Sequence, residues 1–272
     1  MTNFAETEVS RLMPYWVLDQ SVMRSLPSKR KRPAGYNFVI PDVAFIEMVK
    51  NDNWEDTIRR SFCNLSDVLN RTHVALSISE ILQNELAPVE DGEKHFWRST
   101  GQSILKRDSS RHMRQLVQAV LDRRQRSSTL ANVRAKRGPF LARELNPYRD
   151  KAAMQGIVGA LRAAYGDAIV SDLRSGRMSR DAQLGLVIKD SPHIFRKVAE
   201  TSPALCDPNT CAWRHGLVLF RQALTWLAKN GLDLATPERL SHDRFDVDYV
   251  LTASYFDDLE PPRDCRRLVG LS

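Results

Sequence analysis

Three short apolar runs constrain this chain most: residues 15–18 (YWVL), 37–40 (NFVI) and 74–78 (VALSI). Polar or proline-containing turns bound them; a basic, proline-bounded loop follows the first run, and helical periodicity follows the other two. Strands separated by helices favour parallel pairing, so the pattern predicts an α/β fold with a parallel sheet covered by helices. Asp19 stands at the end of the first run, where open parallel sheets place their sites.

Helices are expected at 43–50, with Asp42 as N-cap, at 54–70, and at 79–86 with Ser79 as cap. From 94 to 231 the patterns are helical and contain no convincing strand. Segments 104–126, 152–165 and 213–229 are the clearest, and 174–181 is polar enough to be a loop. A further helix is expected over 243–255. These assignments divide the chain into a discontinuous α/β core, 1–93 plus 236–272, and a large all-helical insertion, 94–235. The insertion is expected to shape a substrate groove, form a homodimer surface or receive an inhibitory protein partner.

Composition narrows the class. At 272 residues there is ample material for a core. No apolar run approaches the roughly 18–20 residues needed to span a bilayer, and the N-terminal residues lack the layout of a secretory signal. Four cysteines are too few to staple such a chain, so reduced thiols in a cytoplasmic protein are expected. Cys206 and Cys211 lack a second ligand pair for zinc. The net charge of +7 is clustered at Lys29-Arg30-Lys31-Arg32, Lys106-Arg107, Arg123-Arg124 with Arg126, and Arg134 with Lys136-Arg137. Such clusters suit a polyanion, since each neutralised phosphate releases counterions. Lys29 to Arg32, Arg123, Arg124 and Arg126 are the candidate nucleic-acid contacts.

The acids carry the chemistry. Asp19 reads either as a turn residue bonding its own backbone or as a site residue. Glu47 is the only carboxylate in an all-round apolar helix, so it is expected to be paired with one of the many arginines, or reached by Lys50 three residues on, or to serve a cation. Asp243, Asp246 and Asp248 precede another apolar stretch; capping accounts for one or two acids there. Asp264 follows in PPRD.

Taken in order, these residues resemble the PIN-domain nucleases. Asp19-Gln20-Ser21 is similar to the family's Asp-x-Asn/Ser/Thr after the first strand. Glu47 in IPDVAFIEMV matches its early-helix glutamate, Asp243, Asp246 and Tyr249 its late helix start, and Asp264 its closing aspartate. The likeness covers about 15–86 and 236–268 and leaves the helical middle unmatched. Pro262 departs from the hydroxyl residue expected before the last aspartate, and Glu85 is a substitute for Glu47.

The resemblance implies a PIN-like fold and an endoribonuclease, with a toxin–antitoxin or phage-defence role, and RNA rather than DNA as substrate. Its site would be Asp19, Glu47, Asp246 and Asp264, with Asp243, Asp248 and Glu85 as alternates. Clustered carboxylates repel one another unless a cation neutralises them, and oxygen ligands suit Mg²⁺ or Mn²⁺. Ser21 would hydrogen-bond a ligand carboxylate or a water. A non-catalytic nucleic-acid- or partner-binding protein of the same fold is the alternative. Rival chemistries lack motifs: there is no HExxH, GxSxG, Walker loop or GxGxxG. Trp213 and Trp226 are expected to pack in a helical core, and Phe96-Trp97 is a weak candidate for base stacking.

Overall fold

The computed structural model describes residues 14–26, 35–86, 100–199, 209–229, 232 and 235–256. Lys29 to Arg32, Phe96-Trp97, Cys206 and Asp264 lie outside the described residues. The chain is mostly helical, with one small mixed sheet flanked by helices. It divides into two compact units, one formed by residues 1–77, 100–145 and 248–272, the other by 78–99 and 146–247. The expected boundaries at 93 and 236 fall elsewhere.

The first unit holds the sheet. Strands β1 (Tyr15–Val17), β2 (Asn37–Ile40) and β3 (Thr72–Ala75) are parallel neighbours, with Trp16 opposite Phe38 and Val39 opposite His73. Every residue of β2 is buried, as a central strand covered on both faces requires. A fourth strand, β4 (Leu105–Lys106), pairs antiparallel with β3 in a region expected to be wholly helical. Two residues are too few to show a period of two, which is why periodicity does not find it.

Helix α1 (Gln20–Ser25) follows β1, and α2 (Val43–Lys50) follows β2. Asp42 stands at the N-cap position of α2 but makes no side-chain capping bond, contrary to expectation. In α3 (Trp54–Leu65), Trp54, Thr57, Ile58, Ser61, Phe62 and Leu65 form the buried stripe, and Glu55 and Asp56 occupy the favourable first turn. The expected helix to residue 70 tightens instead into a 3₁₀ segment, Ser66–Arg71, which delivers the chain directly into β3.

Helix α4 (Ile78–Leu86) belongs to the second unit and begins before Ser79, so Ser79 is a first-turn residue and not its cap. The expected helix over 104–126 is the shorter α5 (Arg107–Leu121), and a further helix, α6 (Arg126–Glu144), follows it. Both join the sheet's unit because α5 turns Ser110, Met113, Val117 and Val120 inward, where the three apolar side chains enter the same core as Phe38 and Phe62. Burying each such apolar side chain contributes about 1.5–3 kcal/mol.

The second unit is helical. After the short α7 (Asn146–Arg149) come α8 (Ala152–Arg174), α9 (Arg180–Ala199) and α10 (Cys211–Ala228). Helix α8 bends at Gly166, whose φ of 69° suits a residue without Cβ. Thr210 caps α10 by accepting from the Trp213 N–H at 3.2 Å. Trp226, Leu224 and Leu227 are buried with Leu161 and Leu173 in a separate apolar core. Trp213, placed one turn into α10, is only partly buried.

The last described helix, α11 (Pro237–Ala253), starts six residues before the expected 243, with the Thr236 hydroxyl accepting from the Arg239 N–H at 3.2 Å. Asp243 is therefore interior to the helix and is not its cap. From Asp248 onward α11 belongs to the first unit. None of the described helices is long and apolar enough to cross a membrane.

Candidate acidic site

The parallel pairing of β1 and β2 sends both carboxyl ends to the same edge of the sheet. Asp19 follows β1 there, and α2, which follows β2, carries Glu47. Asp19 takes extended backbone angles and caps α1: its Oδ1 accepts the Val22 N–H at 2.6 Å and the Ser21 hydroxyl at 2.8 Å. The turn role and the Ser21 contact thus occupy the same oxygen.

Glu47 is 14% exposed and doubly engaged. Its Oε1 accepts from the Lys50 ammonium at 3.1 Å, and its Oε2 accepts from the Tyr249 hydroxyl at 2.8 Å. Lys50 is 8% exposed, so this is a largely buried ion pair of the i, i+3 kind. Burial and then the Glu47 carboxylate hold the Tyr249 hydroxyl well above the usual phenol range, and Asp19 adds to the effect. The Gln20 backbone bonds to the same hydroxyl and acts against that shift. Asp19 and Glu47 are thus brought into the field of one phenol, which donates to Glu47 and so stays protonated.

The remaining acids take other positions. Asp246 is exposed on α11, in the part assigned to the second unit. Asp248 is buried at 7% exposure in the first unit. Asp243 accepts from the Gln222 side chain through its backbone carbonyl at 2.6 Å. Among the described residues no group of three His, Cys, Asp or Glu side chains is arranged to hold a metal ion.

Glu85 has a defined structural role. It is 2% exposed, and its two oxygens accept the N–H groups of Cys211 and Ala212 at 2.8 and 3.1 Å, at the first turn of α10. A carboxylate there satisfies two orphan donors and complements the helix dipole. Both of its oxygens are already used on the backbone.

Some of the basic residues also serve the backbone. Arg126 donates to the carbonyls of Val120 and Leu121 at the end of α5, at 2.8 and 3.1 Å. Arg137 donates to Val49, Lys50 and Asn51 at 2.6, 3.1 and 3.1 Å, closing the C-terminus of α2. Arg123 and Arg124 are exposed. A helix C-terminus needs donors, and no sequence signal shows which distant arginine supplies them.

No family model, curated protein or solved structure matches the chain.

Proposed function

We propose that this protein is a divalent-metal-dependent endoribonuclease with a PIN-like core, working at the acidic edge formed by Asp19 and Glu47. The observation that carries this reading is that both carboxylates act on the single hydroxyl of Tyr249. Two carboxylates fit Mg²⁺ or Mn²⁺, because Mg²⁺ is commonly held by one or two carboxylates with waters and substrate phosphates completing its shell. The ion would supply a bound water of lowered pKa and charge stabilisation at the leaving oxygen.

The chain's own residues do the rest. Tyr249 orients Glu47 through its donated hydrogen bond, Ser21 orients Asp19, and Arg137 fixes the end of the helix that carries Glu47. Lys50 neutralises Glu47 in the ion-free state and would yield to a divalent ion, leaving its ammonium beside the substrate phosphate.

A second reading has its own support. Glu47 already has a cation and a hydrogen-bond donor, and Asp19 Oδ1 is committed to capping α1. A protein that uses these acids only to hold its fold would bind nucleic acid or a partner without catalysis. The decisive assay compares wild type with Asp19→Asn on RNA and DNA, with Mg²⁺, Mn²⁺ or EDTA. Asn keeps the oxygen that accepts from Val22, so the cap survives while the charge is lost. The nuclease reading expects metal-dependent cleavage that falls about a hundredfold or more in the variant. Equal rates, or no cleavage by wild type with either metal, would overturn it.

A further inference from the structure

The corner where β4 turns into α5 forms a half-open pocket of about 390 Å³, lined by His73, Lys106, Arg107, Asp108, Arg111 and Arg114. Among the described residues Lys106, Arg107, Arg111 and Arg114 line it with one carboxylate, Asp108, which is paired with Arg111 at 2.7 Å. The spacing explains the crowding: Arg107, Arg111 and Arg114 stand at i, i+4 and i+7, on one face of α5. Like charges so close repel one another, and a bound anion relieves that repulsion.

The backbone agrees with the side chains. Lys106 occupies the N-cap position of α5 and supplies no capping acceptor, so the start of this fifteen-residue helix adds its positive dipole end to the same corner. Ser110 holds the corner rigid, accepting from the Val74 N–H at 2.9 Å and donating to the Lys106 carbonyl at 2.5 Å. His73 reports the local potential: burial and then Arg114 push its pKa below the usual imidazole value, so it adds no charge near neutral pH.

We infer that this cavity is a phosphate-binding site, taking the phosphate group of a nucleotide or of a nucleic-acid strand. Arginine favours this chemistry because its planar fork matches phosphate oxygens in pairs. The volume lies within the range of about 300–1,000 Å³ typical of small-molecule sites, enough for a phosphate and the sugar attached to it. The site needs no metal ion and does not depend on the carboxylates of the acidic edge.

The test is binding in EDTA, where no divalent ion contributes and nuclease activity cannot interfere. Inorganic phosphate, a nucleoside 5′-monophosphate and a short 5′-phosphorylated oligoribonucleotide are titrated by calorimetry into the full chain. The comparison proteins are Arg107→Gln, which alters an exposed side chain, and the double variant Arg111→Gln/Arg114→Gln, with circular dichroism confirming the fold of each. Saturable binding of phosphate or the mononucleotide, weakened about tenfold or more in the double variant, supports the site. Displacement of the oligonucleotide by phosphate assigns the site to a strand; mononucleotide binding without oligonucleotide binding assigns it to a small ligand. No saturable binding of any of the three, or equal affinities in folded variants and wild type, would overturn the inference.

Discussion

The Tyr249 hydroxyl donates to Glu47 Oε2 at 2.8 Å, joining residues 202 positions apart in the chain. Neighbours in sequence do not select this pairing; it follows from α2 and the end of α11 belonging to one unit. Tyr249→Phe leaves that carboxylate oxygen without its donor in a mostly buried place. The expected cost is about 1–3 kcal/mol, read as a lower denaturant midpoint at unchanged m-value. An unchanged midpoint would show that the bond contributes nothing net.

The same tyrosine carries a pH signature. Its folded pKa is raised above the ordinary value of 10.0, so its contribution is present below pH 10 and declines as pH rises, when the unfolded chain ionises first. Ultraviolet titration of wild type against Tyr249→Phe should show no phenolate from this residue near pH 10. A normal titrating tyrosine in the difference would contradict the buried hydrogen bond.

Lys50 tests what Glu47 is for. Lys50→Met removes the tethered cation and leaves a largely buried carboxylate, a loss on the order of 3 kcal/mol. If Glu47 is a metal ligand, Mg²⁺ or Mn²⁺ restores part of the lost stability; at a concentration a hundred times its Kd the gain is about 2.7 kcal/mol. Thermal melts with and without metal measure this. Identical melts in both conditions would assign Glu47 to the fold alone.

Glu85 should behave as a capping residue with no catalytic part. Glu85→Ala strands the N–H groups of Cys211 and Ala212, at a cost of about 1–3 kcal/mol, and Glu85→Gln costs less because its carbonyl still accepts. Neither change should alter a metal-dependent cleavage rate measured well below the melting temperature.

Acid weakens the second unit through His215. Burial, and then the Arg244 guanidinium, push this imidazole from 6.5 down to about 4. Between those values the unfolded chain binds the proton and the folded chain does not, so stability is full above pH 6.5 and declines as pH falls toward 4. The contribution is at most about 3 kcal/mol. Across this window the wild-type urea midpoint should fall relative to that of His215→Leu as the pH drops.

Much of the sheet was legible because its signals are local. The run NFVI reads as a short strand and is one, and Val43–Lys50 reads as an apolar helix with Glu47 exceptional within it. Where period failed, length or capping explains it: β4 has two residues, and Thr236, before a proline-led first turn, moves the start of α11 ahead of the acids. The basic clusters were visible as charge, but their division between backbone capping by Arg126 and Arg137 and a cavity at Lys106 to Arg114 was not.

By itself the sequence determined the longer strands and helices of the sheet's first part, because apolar spacing and β-branched content act over a few residues. It also marked Asp19 and Glu47 as carboxylates in unusual apolar settings. Only the tertiary structure decided the distant partners. A carboxylate's state depends on which donors, cations and dipoles lie within a few ångströms. Lys50 reaches Glu47 from three residues on, but the Tyr249 hydroxyl on Glu47 and the Cys211 and Ala212 N–H groups on Glu85 come from more than a hundred residues away.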